Sequence, residues 1–220
     1  MNGAFQQRRS GLLVPAISYD NSSEGSGGSV AALTWSHTTA GTNRILFVHI
    51  LTLAVNAVSS VTYGGVAATL VPNGNCSFGG GQSIYLYVLV NPALGANNVV
   101  VTPVTTESVF AGAVSYDGAR QTGQPDGGAQ AVAASATGVT KSLATISNNC
   151  WGVWVYRNNN ANSSSMAFGS GTVRINGAAG TGCIFGDSNA PIAAGGNAGV
   201  AANNSGISGN NGLIVGSFAP

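Results

Sequence analysis

The sequence predicts an all-β protein, an antiparallel two-sheet β-sandwich of jelly-roll-like type, and three observations carry that expectation. Short apolar or alternating segments recur roughly every 10 to 15 residues through the first half, separated by Gly, Asn, Ser and Pro. No helical apolar period lies between them. Three runs, residues 44–55 (RILFVHILTLAV), 83–90 (SIYLYVLV) and 150–156 (CWGVWVY), are apolar on both faces of a strand, the mark of a strand covered on both sides.

Residues 1–11 (MNGAFQQRRSG) read as an N-terminal arm, with Phe5 as its apolar anchor and Arg8 and Arg9 at its base as partner-binding candidates. Residues 12–220 then form one sandwich domain. Residues 12–19 suit a first strand, biased to a sheet edge by Pro15, and 21–29 a Ser/Gly loop. Residues 30–37 alternate as a half-exposed strand does. In the run at 44–55, Ile45, Phe47, His49, Leu51 and Leu53 share one face while Leu46, Val48, Ile50, Thr52 and Ala54 share the other. This is the predicted centre of the core. A hairpin follows at 60–70, where Gly64-Gly65 between two short strands fits a type I′ or II′ turn. Residues 73–82 read as a Gly-rich loop holding Cys76, and strands follow at 83–90, 97–102 and 109–116. Small Thr/Ser-rich strands are expected within 129–146, and a further central strand at 150–156. From 186 to 212, 22 of 27 residues are Gly, Ala, Asn or Ser, a linker-like composition. A closing strand at 213–218 should pair back into the sheet and make that stretch an internal loop.

Composition narrows function mainly by exclusion. Seven basic and six acidic residues give a net charge of +1 and only 6% charged residues, against about 25% in an average chain. Nothing in this balance favours nucleic acid or an anionic membrane. The longest apolar run falls well short of the roughly 20 residues a membrane helix needs. A surface built from Asn, Ser, Thr and Gly repels neighbours weakly and suits an assembly. The start lacks the layout of a secretory signal, so synthesis in a cytoplasm is expected. Cys76, Cys150 and Cys183 are odd in number with no CxxC, which points to neither a disulfide framework nor a zinc site.

No residue pattern announces chemistry. His37 and His49 lie in no HxxxH or HExxH spacing, no GxSxG elbow exists, and the carboxylates are scattered. Asp20, Asn21 and Glu24 share a segment but match no calcium-loop pattern. Gly79-Gly80-Gly81 lacks the lysine of a phosphate loop. The expectation is therefore no catalytic residues, no metal and no cofactor. Trp35, Tyr63 and Trp154 are the candidates for stacking on a sugar ring, if solvent reaches them.

The phrases TWSHTTAGTNRILFVHI, VTYGGVAATLV, LYVLVNPALGANNVVVT and AVSYDGARQTGQPDG occur in an order that resembles a β-sandwich family of bacteriophage virion proteins and bacterial surface proteins. The segments CWGVWVY and GDSNAPIAAG also suit it. The motifs are structural: an Asn-Arg before the core strand, a Tyr-Gly-Gly hairpin, an Asn-Pro turn. The resemblance implies a jelly-roll-like sandwich and supplies no catalytic residues. It points to a non-enzymatic structural protein of a phage virion, a capsid decoration protein that binds the assembled shell and other copies of itself. The alternatives are a tail or fibre component, or a carbohydrate-binding module for host glycans.

Overall fold

The computed structural model describes residues 16–55, 58–177 and 182–220. Apart from one 3-10 turn, Ser163–Ser165, every regular element among them is a strand. At the centre, β3 (Ile45–Thr52) is buried at every position. Its pleat divides it as the sequence predicts: Ile45, Phe47 and Leu51 enter one apolar cluster, and Leu46, Val48 and Ile50 another. Leu53, beyond the strand's end, is exposed. β3 pairs antiparallel with β7 (Gln82–Val90) and β9 (Glu107–Asp117). β1 (Ser18–Val30) and β6 (Thr69–Phe78) flank these and complete a first inner sheet, order β1-β9-β3-β7-β6. A first outer sheet covers one of its faces. It consists of β2 (Leu33–Thr39), β8 (Gly95–Pro103), β4 (Val58–Tyr63) and β5 (Val66–Ala67), in the order β2-β8-β4-β5. Gly64 and Gly65 both take positive φ in the β4–β5 hairpin, as a type I′ turn requires.

The second half repeats this plan. β10 (Gly127–Ala136), β17 (Gly209–Phe218), β12 (Trp151–Asn158), β15 (Ile184–Asp187) and β14 (Thr172–Asn176) form a second inner sheet, order β10-β17-β12-β15-β14. β11 (Gly138–Lys141), β16 (Val200–Asn203) and β13 (Ala167–Phe168) form a second outer sheet, order β11-β16-β13. Exchanging β1, β9, β3, β7 and β6 for β10, β17, β12, β15 and β14 turns one inner order into the other. The correspondence extends to single hydrogen bonds. Thr39 Oγ1 donates to the Ala93 carbonyl at 2.7 Å, and Thr145 Oγ1 to the Ala193 carbonyl at 2.6 Å. Asp20 accepts the Ala40 amide, and Asp126 the Ile146 and Ser147 amides. Gly95 and Gly195 both take positive φ at the following turn.

The two halves stack through their inner sheets. Tyr116 and Phe218 hold equivalent places, opposite Ile45 and Trp151. Their rings meet with centroids 5.0 Å apart. β1 lies against β14 and β6 against β10, so each edge meets the counterpart of the other, as across a twofold axis. A buried polar lock crosses the same interface. Tyr116 donates its hydroxyl to Asp187 Oδ2 at 2.7 Å, and the Arg174 guanidinium grips both carboxylate oxygens at 2.7 and 3.2 Å. Arg174 also lies 4.3 Å over the Tyr19 ring.

The predicted antiparallel sandwich is thus present in doubled form, with four layers where the sequence suggested two sheets. The physical reason lies in β3, β7 and β12: a strand apolar on both faces needs a layer on each side. Other expectations change as well. Residues 21–29 and most of 73–82, read as loops, belong to β1 and β6. Cross-strand pairing and the close approach of Trp35 to Gly25 outweigh their weak strand propensity. β17 is not merely paired back but central, between β10 and β12.

Candidate functional site

Phe5, Arg8 and Arg9 lie outside the described residues. Of the three sugar-stacking candidates, Tyr63 is 0% and Trp154 2% exposed, so neither ring can meet a ligand. Tyr63 donates its hydroxyl to the Gly95 carbonyl, and Trp154 its indole N–H to the Ala198 carbonyl. These are core aromatics whose polar ends are satisfied by backbone. Trp35 is half-buried and packs toward Gly25.

Trp35 belongs to the densest polar network of the first half. Its Nε1–H donates to Ser23 Oγ at 3.0 Å. His37 lies 2.8 Å from Ser23 through Nδ1 and 3.0 Å from Ser115 Oγ through Nε2. Ser115 Oγ in turn donates to Asp20 Oδ2 at 2.7 Å. A carboxylate only accepts, so Ser115 gives its proton to Asp20 and receives one from Nε2. That leaves Nδ1 as acceptor and makes Ser23 its donor. Burial lowers the His37 pKa to about 4, against an opposing pull from Asp20, which keeps the ring neutral near pH 7. His37 and Ser115 are 1% and 0% exposed, and the Ser23 oxygen is already engaged by an indole. The chain of bonds ties β1, β2 and β9 together.

The other reactive side chains are withdrawn. His49 is buried, stacks on Phe185 at 5.4 Å and has its pKa lowered to about 3 by burial. Burial pushes the thiols of Cys76 and Cys150 up to about 11 and that of Cys183 to about 12, far from thiolate chemistry. Among the described residues no group of three or more His, Cys, Asp or Glu could hold a metal ion. Charges are mostly taken up internally: Arg174 with Asp187, Arg120 with Asp126, Arg44 with the Gly41 and Pro92 carbonyls, Asp117 with the Thr42 and Asn43 amides. The outer surface is left mainly to uncharged groups, among them exposed apolar side chains such as Leu94, Val104 and Ile146.

Surface character differs most among the sheet edges. An open edge invites pairing with another chain, and charges, prolines and bulges normally blunt it. β1 carries Asp20 and Glu24 and shifts register twice. β6 has Pro72 and a shift between Leu70 and Asn75, and β14 has Arg174 and a shift between Val173 and Ile175. β10 (GGAQAVAASA) has no charge and no proline, but it shifts register between Ala133 and Ala136 as β1 does between Gly27 and Val30, and its Gly128 and Ala131 carbonyls accept from Asn73 and Cys76 on β6. Beside it runs a groove of about 520 Å³ between Asn75 and Ser77 on β6 and Gln130, Ala131 and Val132 on β10. It continues past Phe78, Gly79 and Asn210 into a second depression of about 360 Å³. Val132 is 59% exposed there. Sequence reasoning missed this surface, although the uncharged run at 127–140 was a visible signal.

No protein-family model matches the chain, and no curated protein matches its sequence. Among solved structures, a chain from the atomic structure of Sulfolobus Turreted Icosahedral Virus is similar at 9% identity, over 93% of this chain and 91% of that one, with a TM-score of 0.25. A likeness at that level carries no argument about fold or function.

Proposed function

We propose that the chain is a non-enzymatic structural protein of a bacteriophage virion, a capsid decoration protein that binds the assembled shell. The observation that carries this reading is the doubled sandwich, built from a chain in which only 6% of residues are charged. We read each half as a jelly roll: its first strand lies beside its last, and its strands divide between two facing sheets. Such a body offers broad sheet faces, with His37, His49, Cys76, Cys150 and Cys183 buried within it. A nearly uncharged surface allows close packing among neighbours without like-charge repulsion. Binding the shell and not its free subunits would stabilise the shell by mass action.

The test is co-sedimentation of the purified chain with assembled empty capsids and, separately, with unassembled capsid subunits. Pelleting with shells alone, together with a raised melting temperature of the shell, is the expected result. Absence of pelleting with every particle tried, alongside retention on immobilised host glycans, would overturn the reading in favour of a glycan-binding module. A tail or fibre role predicts pelleting with tailed particles and none with empty heads. The arm enters the same assay: deletion of residues 1–11 should reduce incorporation, and undiminished incorporation removes Phe5, Arg8 and Arg9 from the docking surface.

A further inference from the structure

We infer that the two halves are hinged along the β6–β10 side and latched along the β1–β14 side, so that the seam between the inner sheets opens at one edge while both sheets stay intact. This goes beyond the virion reading and stands without it. The twofold-like arrangement makes the two sides of the seam comparable, because β1 and β10 are counterparts, as are β14 and β6. They are not closed alike.

On the β6–β10 side the backbones come together. Gly128 lies so close to the Pro72 carbonyl, and Gly212 to the Phe78 ring, that neither has room for a Cβ. Asn73 Nδ2 donates to the Gly128 carbonyl at 3.1 Å, and the Cys76 thiol to the Ala131 carbonyl at 3.7 Å. The chain passes from one half to the other through residues 118–126 and enters the second half at β10, so the covalent link also leads into this side. The opposite side is looser. Among the described residues β1 and β14 touch sparsely, and the seam there holds a cavity of about 10 Å³ lined by Glu24, Ser26, His49, Ile175 and Cys183. His49 Nδ1 is buried without a hydrogen-bond partner, a cost that contact with water relieves. The polar lock spans this side: Tyr116 donates to Asp187 across the seam, and Arg174 grips Asp187 while lying over the Tyr19 ring. Local opening starts where apolar contacts are fewest, and that is the latched side.

Two native thiols report on the two sides. Cys183 lines the cavity and Cys76 lies against β10, both buried. The experiment labels the full chain with iodoacetamide in native buffer. Each site is followed by peptide mass and normalised to its rate in the guanidinium-unfolded chain. Wild-type Cys183 should react at least about tenfold faster than Cys76, because it needs only the local opening. Two variants separate latch from hinge, with circular dichroism and urea unfolding to confirm the fold and measure global stability. Tyr116→Phe removes the hydroxyl that Asp187 accepts, and should speed Cys183 by the same factor, about tenfold, by which it raises the unfolding constant. Asn73→Asp removes a donor on the hinge side, and should speed Cys76 while leaving Cys183 unchanged, since the hinge contacts persist in the open form. Equal wild-type rates at the two thiols would overturn the inference. So would a Cys183 rate blind to Tyr116→Phe, which would mean an opening confined to its own neighbourhood, or one that Asn73→Asp raises as much as that of Cys76. Capsid binding plays no part in this readout, so its failure leaves the virion reading untouched.

Discussion

The first and second halves share a strand order and differ in what fills it. Where the first half runs Trp35, Ser23, His37, Ser115 and Asp20 into one hydrogen-bonded chain, the second half has Lys141, Ala129, Leu143, Ser217 and Asp126 at the corresponding places. Only Asp126 keeps its loop-capping role. Leu143 packs against the cluster between the second inner and outer sheets, and Ser217 Oγ is buried with no partner. The comparison separates what the fold needs from what one half adds. Capping of the loop by Asp and the Thr-to-carbonyl bond recur in both. The histidine network does not, and an apolar residue substitutes for it.

The strongest way to break the comparison is to attack what both halves share. Phe218→Ala empties a fully buried position against Tyr116 and Phe47 and should cost about 3–5 kcal/mol. Because Phe218 belongs to the cluster common to both inner sheets, calorimetry should still show one cooperative transition at lower temperature. Two separate transitions would mean that the halves are independent. The next effect sharpens the difference. His37→Leu installs the second half's own residue but removes one of the two hydrogen-bond partners of Ser23 and of Ser115, which should cost about 1–3 kcal/mol at neutral pH. The same variant should lose part of the acid sensitivity. His37 and His49 have folded pKa values lowered to about 4 and about 3, so between pH 6.5 and those values the unfolded chain binds more protons than the folded one. Stability then rises with pH across that window and falls as the medium is acidified. A denaturation series from pH 7 to pH 4 on wild type and variant checks both the sign and the difference in slope. The smallest effect is a paired one: Ser115→Ala should cost about 1 kcal/mol, whereas Ser217→Ala should be neutral or slightly stabilising because its hydroxyl is unpartnered. Equal losses would show that the second half hides a partner for Ser217.

Much of the fold was legible in local pattern. The two faces of β3, the double-glycine hairpin and the apolar strands β7 and β12 appear where the sequence places them. The number of layers was legible too, in retrospect: three strands apolar on both faces cannot all lie in a two-layer sandwich, where every strand has one outer face. The duplication was harder to see. It survives in the sequence as scattered identities, such as Asp20, Thr34, Ser36, Thr39 and Asn43 against Asp126, Thr140, Ser142, Thr145 and Asn149, and Ala93, Gly95 and Asn97 against Ala193, Gly195 and Asn197. A repeat of half the chain's length lies beyond the periods of common solenoids. The candidate surface was not legible because an edge is defined by what fails to pair with it. Tyr63 and Trp154 misled for the converse reason: an aromatic residue on an alternating strand gives no sign of which face a further layer will cover.

The pairing of β1 with β9, and of β10 with β17, has a consequence for how the chain is made. Each half closes only when its last strand arrives, so its sheets depend on contacts between residues far apart in sequence, the kind that form slowly. During synthesis the first half reaches completion at Asp117 while its inner face, with Ile45, Phe47 and Leu51, still awaits the strands that will cover it. Cover is complete only with β17, at the far end of the chain, which joins β10 to β12 in the covering sheet. A growing chain of this design therefore displays a broad oily surface for most of the translation of its second half, a period in which chaperone capture competes with aggregation.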